Sequence, residues 1–374
     1  MTPIKVLHVL EVEQEAFYFS NLVDFTDRAE IEFSFVSFAP EGGFSKSLKE
    51  RGLKVHNLGW ISKSRYLYVA KELRSILKEE DPAIVHTHQF NATTTGLTLA
   101  KRQRCKTVMT RHHSDALHQL PSALKRRFYL TLEHRNNRLS DQIIAPSTRV
   151  RDVLVDQEGV PSDKVHVIPY GQTMHRFAAV TKEMVEKKQS ELGMDRQLSL
   201  VCVSRLFHRK GHAYLFEALA PLIREGLSAR LYLVGEGEYK PELESMAKRL
   251  GIRENIEFLG WRTDVLSLIS ASDIVVHPSL EDALSQSLIE SLMLGRPIVA
   301  TDISGATDTL NGGKYGKLVP PADADAFRVA LVETIKDIDS ALARADKGKD
   351  YLLEYMDARR VANQYTEIYQ RLVR

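Results

Sequence analysis

The stretch DIVVHPSLEDALSQSLIESLMLGRPIVATDIS, residues 273–304, decides the fold. Its opening DIVVHPS is a short apolar run punctuated by Pro278-Ser279, the pattern of a buried strand ended by a turn. SLIESLML then carries apolar residues at helical spacing, with Gly295 and Pro297 as stop signals. PIVATDIS (297–304) reads as the next strand. A strand, a helix and a second strand within about thirty residues form the repeating unit of a parallel sheet. Three of its five carboxylates cluster at the helix: Glu281 and Asp282 ahead of it, and Glu290 in its first turns. Helix N-terminal amides favour anions by about 0.3–1 kcal/mol. On this segment alone Glu290 reads equally as dipole compensation or as a carboxylate accepting from sugar hydroxyls.

The same alternation extends in both directions. In the first half, IKVLHVL (4–10), EFSFVSF (32–38), AIVHTH (83–88), KTVMTRH (106–112) and DQIIAPS (141–147) read as strands, with helical stretches such as YVAKELRSILKEED and TTTGLTLAKRQ between them. In the second half the strands are LSLVCVSRL (198–206), ARLYLVGEG (229–237), IEFLGW (256–261), DIVVHPS and PIVATDIS, with YKPELESMAKRLG as one of the intervening helices. The join falls near VHVIPYGQTMHRF (165–177), where a strand ends in a Pro-Tyr-Gly turn. The expected architecture is therefore α/β, with two doubly wound Rossmann-like domains over residues 1–172 and 173–357. The segment YLLEYMDARRVANQYTEIYQRLVR reads as helical, and its last part, 358–374, is expected to pack back on the first domain. Ligands of such sheets bind outside the carboxyl ends of the strands, so loops there are the place to look for chemistry.

Bulk properties narrow the class. A chain of 374 residues exceeds one ordinary core, and 43% hydrophobic with 27% charged residues is globular composition. A net charge of +2 gives no general basis for nucleic-acid binding. Cys105 and Cys202 lie far apart without a CxxC pattern and read as buried thiols in a reducing compartment. MTPIKVLHVL runs directly into a strand without a signal-peptide pattern, and no apolar run reaches bilayer length, so the expected location is cytoplasmic.

In VSRLFHRKGHAYLFEAL (203–219), Arg205 ends a strand and Lys210-Gly211 precedes a helix, an arrangement that suits a diphosphate and equally a solvated basic turn. LVGEGEY (233–239) ends a strand in Gly235-Glu236-Gly237, where a bare GxG is as well explained by a tight turn. Taken in order with SDQIIAPSTRVRDVLVDQEGVPSDKVHVIPYG, IEFLGW and PSLEDALSQSLIESLMLGRPIVATDISG, these motifs resemble the family 4 retaining glycosyltransferases (glycosyl transferases group 1). That resemblance covers residues 80–320 well and implies a GT-B fold, two Rossmann-like domains facing across a cleft. The absence of GxGxxG after the first strand argues against a nicotinamide-dependent dehydrogenase.

The resemblance also implies roles. Arg205 and Lys210 would hold the donor diphosphate and neutralise charge on the leaving nucleotide, with no metal and no cofactor. Glu290 would bind the nucleotide ribose. Gly235 would lie against the donor, and Leu284, Ser285, Gln286 and Ser287 would face the phosphates and sugar. Trp261 and Arg262 would lie where members of the family hold the base. His112 matches the histidine near the sugar in the first domain, ahead of its neighbour His113. The family's paired glutamates have seven residues between them. Counting back from Glu290 gives Asp282, not Glu281, so Asp282 is the nominal partner, one methylene shorter than glutamate.

Several positions depart from that pattern. After the first strand the family's Gly-Gly loop is replaced by LEVEQEAFYFS, whose Glu11, Glu13 and Glu15 would repel a diphosphate unless they face the acceptor. Ser204 and Ser285 stand where glycines are usual, and Tyr170-Gly171-Gln172-Thr173 replaces an Asn-Gly-x-Asp turn. Residues 101–138 hold ten Lys or Arg against Asp115 and Glu133. In PSALKRRFYLTLEHRNNRL the apolar Leu124, Phe128 and Leu132 recur every four residues. The segment reads as a helix packed on the first domain with a solvated basic face, or as a patch for peripheral contact with anionic lipid.

The function expected is transfer of a sugar, with retention, from a UDP- or GDP-linked donor to a glycan or lipid-linked acceptor in cell-surface polysaccharide or glycolipid synthesis. The other class in view is a non-catalytic GT-B homologue acting as a binding or regulatory subunit.

Overall fold

The computed structural model describes residues 2–59, 65–113 and 122–374. It divides into two compact units, Met1–Gln172 with Met356–Arg374, and Thr173–Tyr355. In the first unit the strands are β1 (Ile4–Leu10), β2 (Ile31–Ser37), β3 (Lys54–Asn57), β4 (Ile84–His88), β5 (Lys106–Thr110), β6 (Gln142–Ala145) and β7 (Val165–Val167). They form one parallel sheet in the order β3-β2-β1-β4-β5-β6-β7. The second unit contains β8 (Leu198–Val203), β9 (Ala229–Val234), β10 (Ile256–Gly260), β11 (Ile274–His277), β12 (Ile298–Thr301) and β13 (Lys317–Val319), in the order β10-β9-β8-β11-β12-β13. Each order reverses once, between β1 and β4 and between β8 and β11. The crevices at those reversals are where doubly wound sheets bind ligands.

The strands are apolar runs because helices cover both sheet faces. Leu200, Cys202, Leu231, Leu233, Ile274 and Val276 build one side of the second unit's core against the helix His212–Arg224. The Cys202 thiol is pushed up to about 12 by burial, while Cys105 is only half-buried.

The C-terminal segment is not one helix. It breaks between Ile338–Tyr355 and Ala358–Val373, where Asp357 leaves helical geometry and its side chain accepts from Arg360 N. Met356 O accepts from Gln172 N at 2.7 Å. The final helix packs against Phe17–Phe25 and places Val361, Tyr365 and Tyr369 in the core of the first unit.

That core holds a chain of buried imidazoles. His8 Nδ1 lies 2.9 Å from His88 Nε2, His88 Nδ1 lies 3.0 Å from His112 Nε2, and His112 Nδ1 lies 2.7 Å from the Tyr170 hydroxyl. His86 is held separately, between Tyr369 OH at 2.7 Å and Thr110 Oγ1 at 2.8 Å. His8 Nε2 has no hydrogen-bond partner among the described residues. A bare lone pair is a smaller loss there than a stranded N–H. This favours the tautomer set in which each Nδ1–H donates along the chain, ending at Tyr170. Burial pushes His8 and His112 down to about 3 and His86 and His88 well below the usual range.

The helix Ala123–Leu139 reverses the expected orientation. Leu124 and Phe128 are 81% and 59% exposed, whereas Glu133, Asn136 and Asn137 face inward. The reason is a buried ion network. Arg111 donates to Glu133 at 2.8 Å and to Glu158 at 2.8 and 3.2 Å, and Asn137 donates to Glu158 at 2.7 Å. Residues 114–121 of the basic stretch, including Asp115, lie outside the described residues.

Two stability predictions follow from these cores. Arg111→Met leaves two buried carboxylates facing each other and is expected to cost about 3–5 kcal/mol in urea unfolding, with much of the loss recovered on adding Glu133→Gln. A loss below about 1 kcal/mol would show that the network does not hold the helix. The depressed histidines favour the neutral folded form, so their contribution is complete above the unfolded value of about 6.5 and is lost as pH falls toward the folded values. Each buried histidine should cost about 2 kcal/mol by pH 5 relative to pH 7.5. Unfolding midpoints that stay flat between those pH values would contradict neutral burial.

Candidate active site

The loops following β8, β9, β10 and β11 form one constellation at the reversal of the second sheet. Gly211, with φ +67, sits so close to β11 that a Cβ there would lie 1.9 Å from Pro278 O. Leu280 N donates to Arg209 O at 2.9 Å, which ties the two switch loops together. Gly235, with φ +140, backs onto Ser204, where a Cβ would come within 2.2 Å of the carbonyl oxygen. Gly235 N donates to Gly260 O at 2.8 Å, and Leu206 N to Glu236 O at 2.9 Å. Backbone contact this close excludes side chains and brings residues from four strand ends into one rim.

Lys210 and Asp282 meet there. The Lys210 ammonium donates to Asp282 Oδ2 at 2.6 Å, and the lysine is 8% exposed. Glu281 turns instead toward Arg209, at 3.5 Å. The lysine thus meets Asp282, the carboxylate with seven residues between it and Glu290, and Glu281 goes to Arg209. His277, at the end of β11, is buried with Nε2 3.9 Å from Asp282 Oδ2. Burial and the Lys210 charge push it down to about 4, against the opposing pull of Asp282. Arg205 is exposed, its guanidinium 4.9 Å from the Phe207 ring centroid. Ser204, in place of the usual glycine, pairs its hydroxyl with His212 Nε2 at 3.0 Å.

The helix Gln286–Met293 begins after Ser285, and the helix His212–Arg224 after Gly211, neither with a side-chain cap. Their first amides are the kind of donors that hold an anion. Leu284 and Ser285 are buried at that start, and Ser285 Oγ lies 3.1 Å from Ser287 Oγ. Glu290 is 7% exposed and accepts from Arg176 at 2.6 Å and from Gln286 at 3.4 Å. Burial raises its carboxyl above the usual range, while Arg176 and Gln286 oppose that. Trp261 is 68% exposed beside β10. Arg262 is occupied by a bidentate pair with Asp264 at 2.8 and 2.7 Å.

His112 belongs to the first unit, where both its ring nitrogens are engaged by His88 and Tyr170. The loop after β1 does not present all its acids outward. Glu11 is taken by the start of the helix Phe90–Arg102, accepting from Ala92 N at 2.7 Å and Asn91 at 3.0 Å. Glu15 accepts from Ser47 at 3.4 Å. Gln89, whose side chain accepts from Glu11 N, is held at φ +54, ψ 166, a region that is strained for any residue but glycine.

Arg176, Tyr170 and His277 had no role in the sequence reading. Arg176 stands 114 residues from its partner Glu290, and nothing local marks it. As metal ligands, His8, His86 and His88 come within 4.8 Å of one another. Their rings stack, however, with His86 and His88 centroids 4.3 Å apart at 25°. Stacked rings direct their in-plane lone pairs side by side, not toward one point, and every ring nitrogen of the three except His8 Nε2 already serves the hydrogen bonds above.

The model for Glycosyltransferase Family 4 matches residues 17–173, and that for Glycosyl transferases group 1 matches residues 197–337. The chain is 26% identical over 289 residues to an alpha-D-kanosaminyltransferase of Streptomyces kanamyceticus, covering 75% of each chain. It is 27% identical over 270 residues to the UDP-Gal:alpha-D-GlcNAc-diphosphoundecaprenol alpha-1,3-galactosyltransferase of Escherichia coli, covering 71% of this chain and 69% of that one. Among solved structures, Anabaena HepE in complex with UDP-glucose superimposes with a TM-score of 0.84 at 22% identity, over 99% of this chain and 100% of that one. WaaG, a glycosyltransferase involved in lipopolysaccharide biosynthesis, does so with 0.75 at 16%, over 98% and 99%. With both halves of the chain matched and both sheets in place, the protein belongs to the family 4 (group 1) glycosyltransferases and has their GT-B fold.

Proposed function

We propose that the second unit binds a UDP- or GDP-linked sugar and that the sugar passes, with retention, to a glycan or lipid-linked acceptor held by the first. The observation that carries this reading is Lys210, a buried cation between two uncapped helix starts at the sheet reversal. A diphosphate supplies the charge such a pocket is short of once Lys210 leaves Asp282. Arg205 closes from the exposed side, and together they would neutralise the leaving nucleotide in place of a metal. Glu290, braced by Arg176, would take the ribose hydroxyls, and Trp261 offers a face for the base. Asp282 would meet the donor sugar. Retention and a place in cell-surface polysaccharide or glycolipid synthesis rest on the family resemblance. The Escherichia coli relative's name, which pairs UDP-Gal with a diphosphoundecaprenol-linked acceptor, supports a lipid-linked acceptor here.

His112 is assigned here a place near the sugar, but not as an acid or base. With both nitrogens engaged and its value near 3, it stays neutral through the physiological range. For the acceptor side, the exposed Leu124 and Phe128, interleaved with exposed Lys125 and Arg127, suit peripheral contact with an anionic membrane surface at the cytoplasmic face. None of the described helices is long and apolar enough to cross a membrane.

Nucleotide release from UDP- and GDP-sugars tests the donor site. Slow hydrolysis should survive EDTA and fall at least a hundredfold in Arg205→Ala, and Glu290→Ala should raise KM. Asp282→Ala should lose more activity than Glu281→Ala. The reverse ranking would move the donor contact to Glu281. For the membrane contact, sedimentation with phosphatidylglycerol vesicles should show binding that Lys125→Ser with Arg127→Ser weakens by about thirtyfold, at roughly 1 kcal/mol per basic residue. Binding indifferent to lipid charge would sink that part of the reading.

A further inference from the structure

We propose that His277 is a positioning residue that takes over Asp282 when a donor diphosphate draws Lys210 away. The inference rests on the donor-site reading above and adds a residue to it. Two groups address one carboxylate oxygen. Lys210 Nζ holds Asp282 Oδ2 at 2.6 Å, while His277 Nε2 waits 3.9 Å from the same atom. That nitrogen is buried, with no hydrogen-bond partner among the described residues, in a side chain 2% exposed. A buried ring nitrogen left unmatched costs stability in this state, and a second state that uses it gives a reason for its presence.

Donor binding supplies that state. A diphosphate that draws Lys210 away would leave Asp282 without that ammonium beside a second anion, a repulsion that an added N–H donor offsets. An N–H from His277 can do so without taking up a proton, and closing from 3.9 Å to about 2.9 Å needs a shift of about 1 Å. His212, also buried, and Lys210 are the other titratable groups coupled to this imidazole. Lys210 disfavours its protonated form and Asp282 favours it, while His277 in turn lowers His212. The exchange would hold Asp282 in a fixed orientation toward the donor sugar at the moment its first partner is committed to phosphate.

The test is 15N NMR of the histidine side chains, with UDP and GDP as probes. Saturating nucleotide should move the His277 Nε2 signal to that of a hydrogen-bonded N–H, and Asp282→Ala should abolish the change. His277→Leu should leave the ligand-free protein at least as stable, because it removes an unmatched polar atom. It should nevertheless weaken nucleotide binding about tenfold, while His277→Gln, which keeps a donor, should restore most of the loss. Nucleotide that binds without moving the His277 signal would overturn the exchange and leave the donor site standing. A chain that binds neither UDP nor GDP would overturn both. A His277→Leu protein that loses stability in the free state but binds nucleotide normally would reduce His277 to packing.

Discussion

The carbonyl oxygen of Pro278 lies where a side chain at position 211 would have to go. Only glycine lets the loop after β8 pass that close to the end of β11, and the φ of +67 at Gly211 suits the same residue. This approach puts Lys210, the preceding residue, against Asp282, four residues beyond Pro278. The reversal in strand order is what makes β8 and β11 neighbours at all, although three crossovers separate them along the chain. The site therefore depends on topology first, on one missing Cβ second, and on the charged side chains last. A larger residue at 211 would separate the cation from the carboxylate before altering either.

The first unit reaches rigidity by a different route. Its sheet reversal is filled by imidazoles on β1 and β4 that are neutral because they are buried and buried because they satisfy one another. An aliphatic core would give equal apolar burial. The histidine chain adds direction, since every tautomer in it is set by its neighbour and the chain ends at His112 and Tyr170. The strained Gln89 sits directly after this chain, and its side chain meets the loop that replaces the family's glycines. Glu11 then neutralises its own repulsive charge on a helix start, leaving fewer free acids than the sequence suggested.

How much was legible in the sequence varies with how local the cause is. The central strands were readable because burial on both faces makes them apolar runs. The edge strands β3 and β13, KVHN and KLV, were missed because they are four and three residues long with no apolar run, whereas the edges β7 and β10 sit in VHVI and IEFL and were read. The helix Ala123–Leu139 misled for a related reason. Its periodic leucine and phenylalanine looked like the inner face, yet the inner face is polar and is matched by Arg111 and Glu158 from distant strands and turns. Arg176 and His277 were silent in the same way, since each acquires meaning only from a partner that folding delivers. Lys210 and Asp282, by contrast, were found by motif spacing and stand together in the structure.

The substitution of aspartate for the family's first glutamate gains a physical reading from this arrangement. A shorter side chain keeps its carboxylate back against the end of β11, where Lys210 and His277 address the same oxygen. A glutamate would carry that oxygen farther along the loop, past His277 and away from a lysine anchored in a glycine-tight turn. Aspartate and the buried histidine therefore suit one another at these two positions. The carboxylate gives up about one C–C bond of reach and lies within 3.9 Å of a second buried side chain, His277.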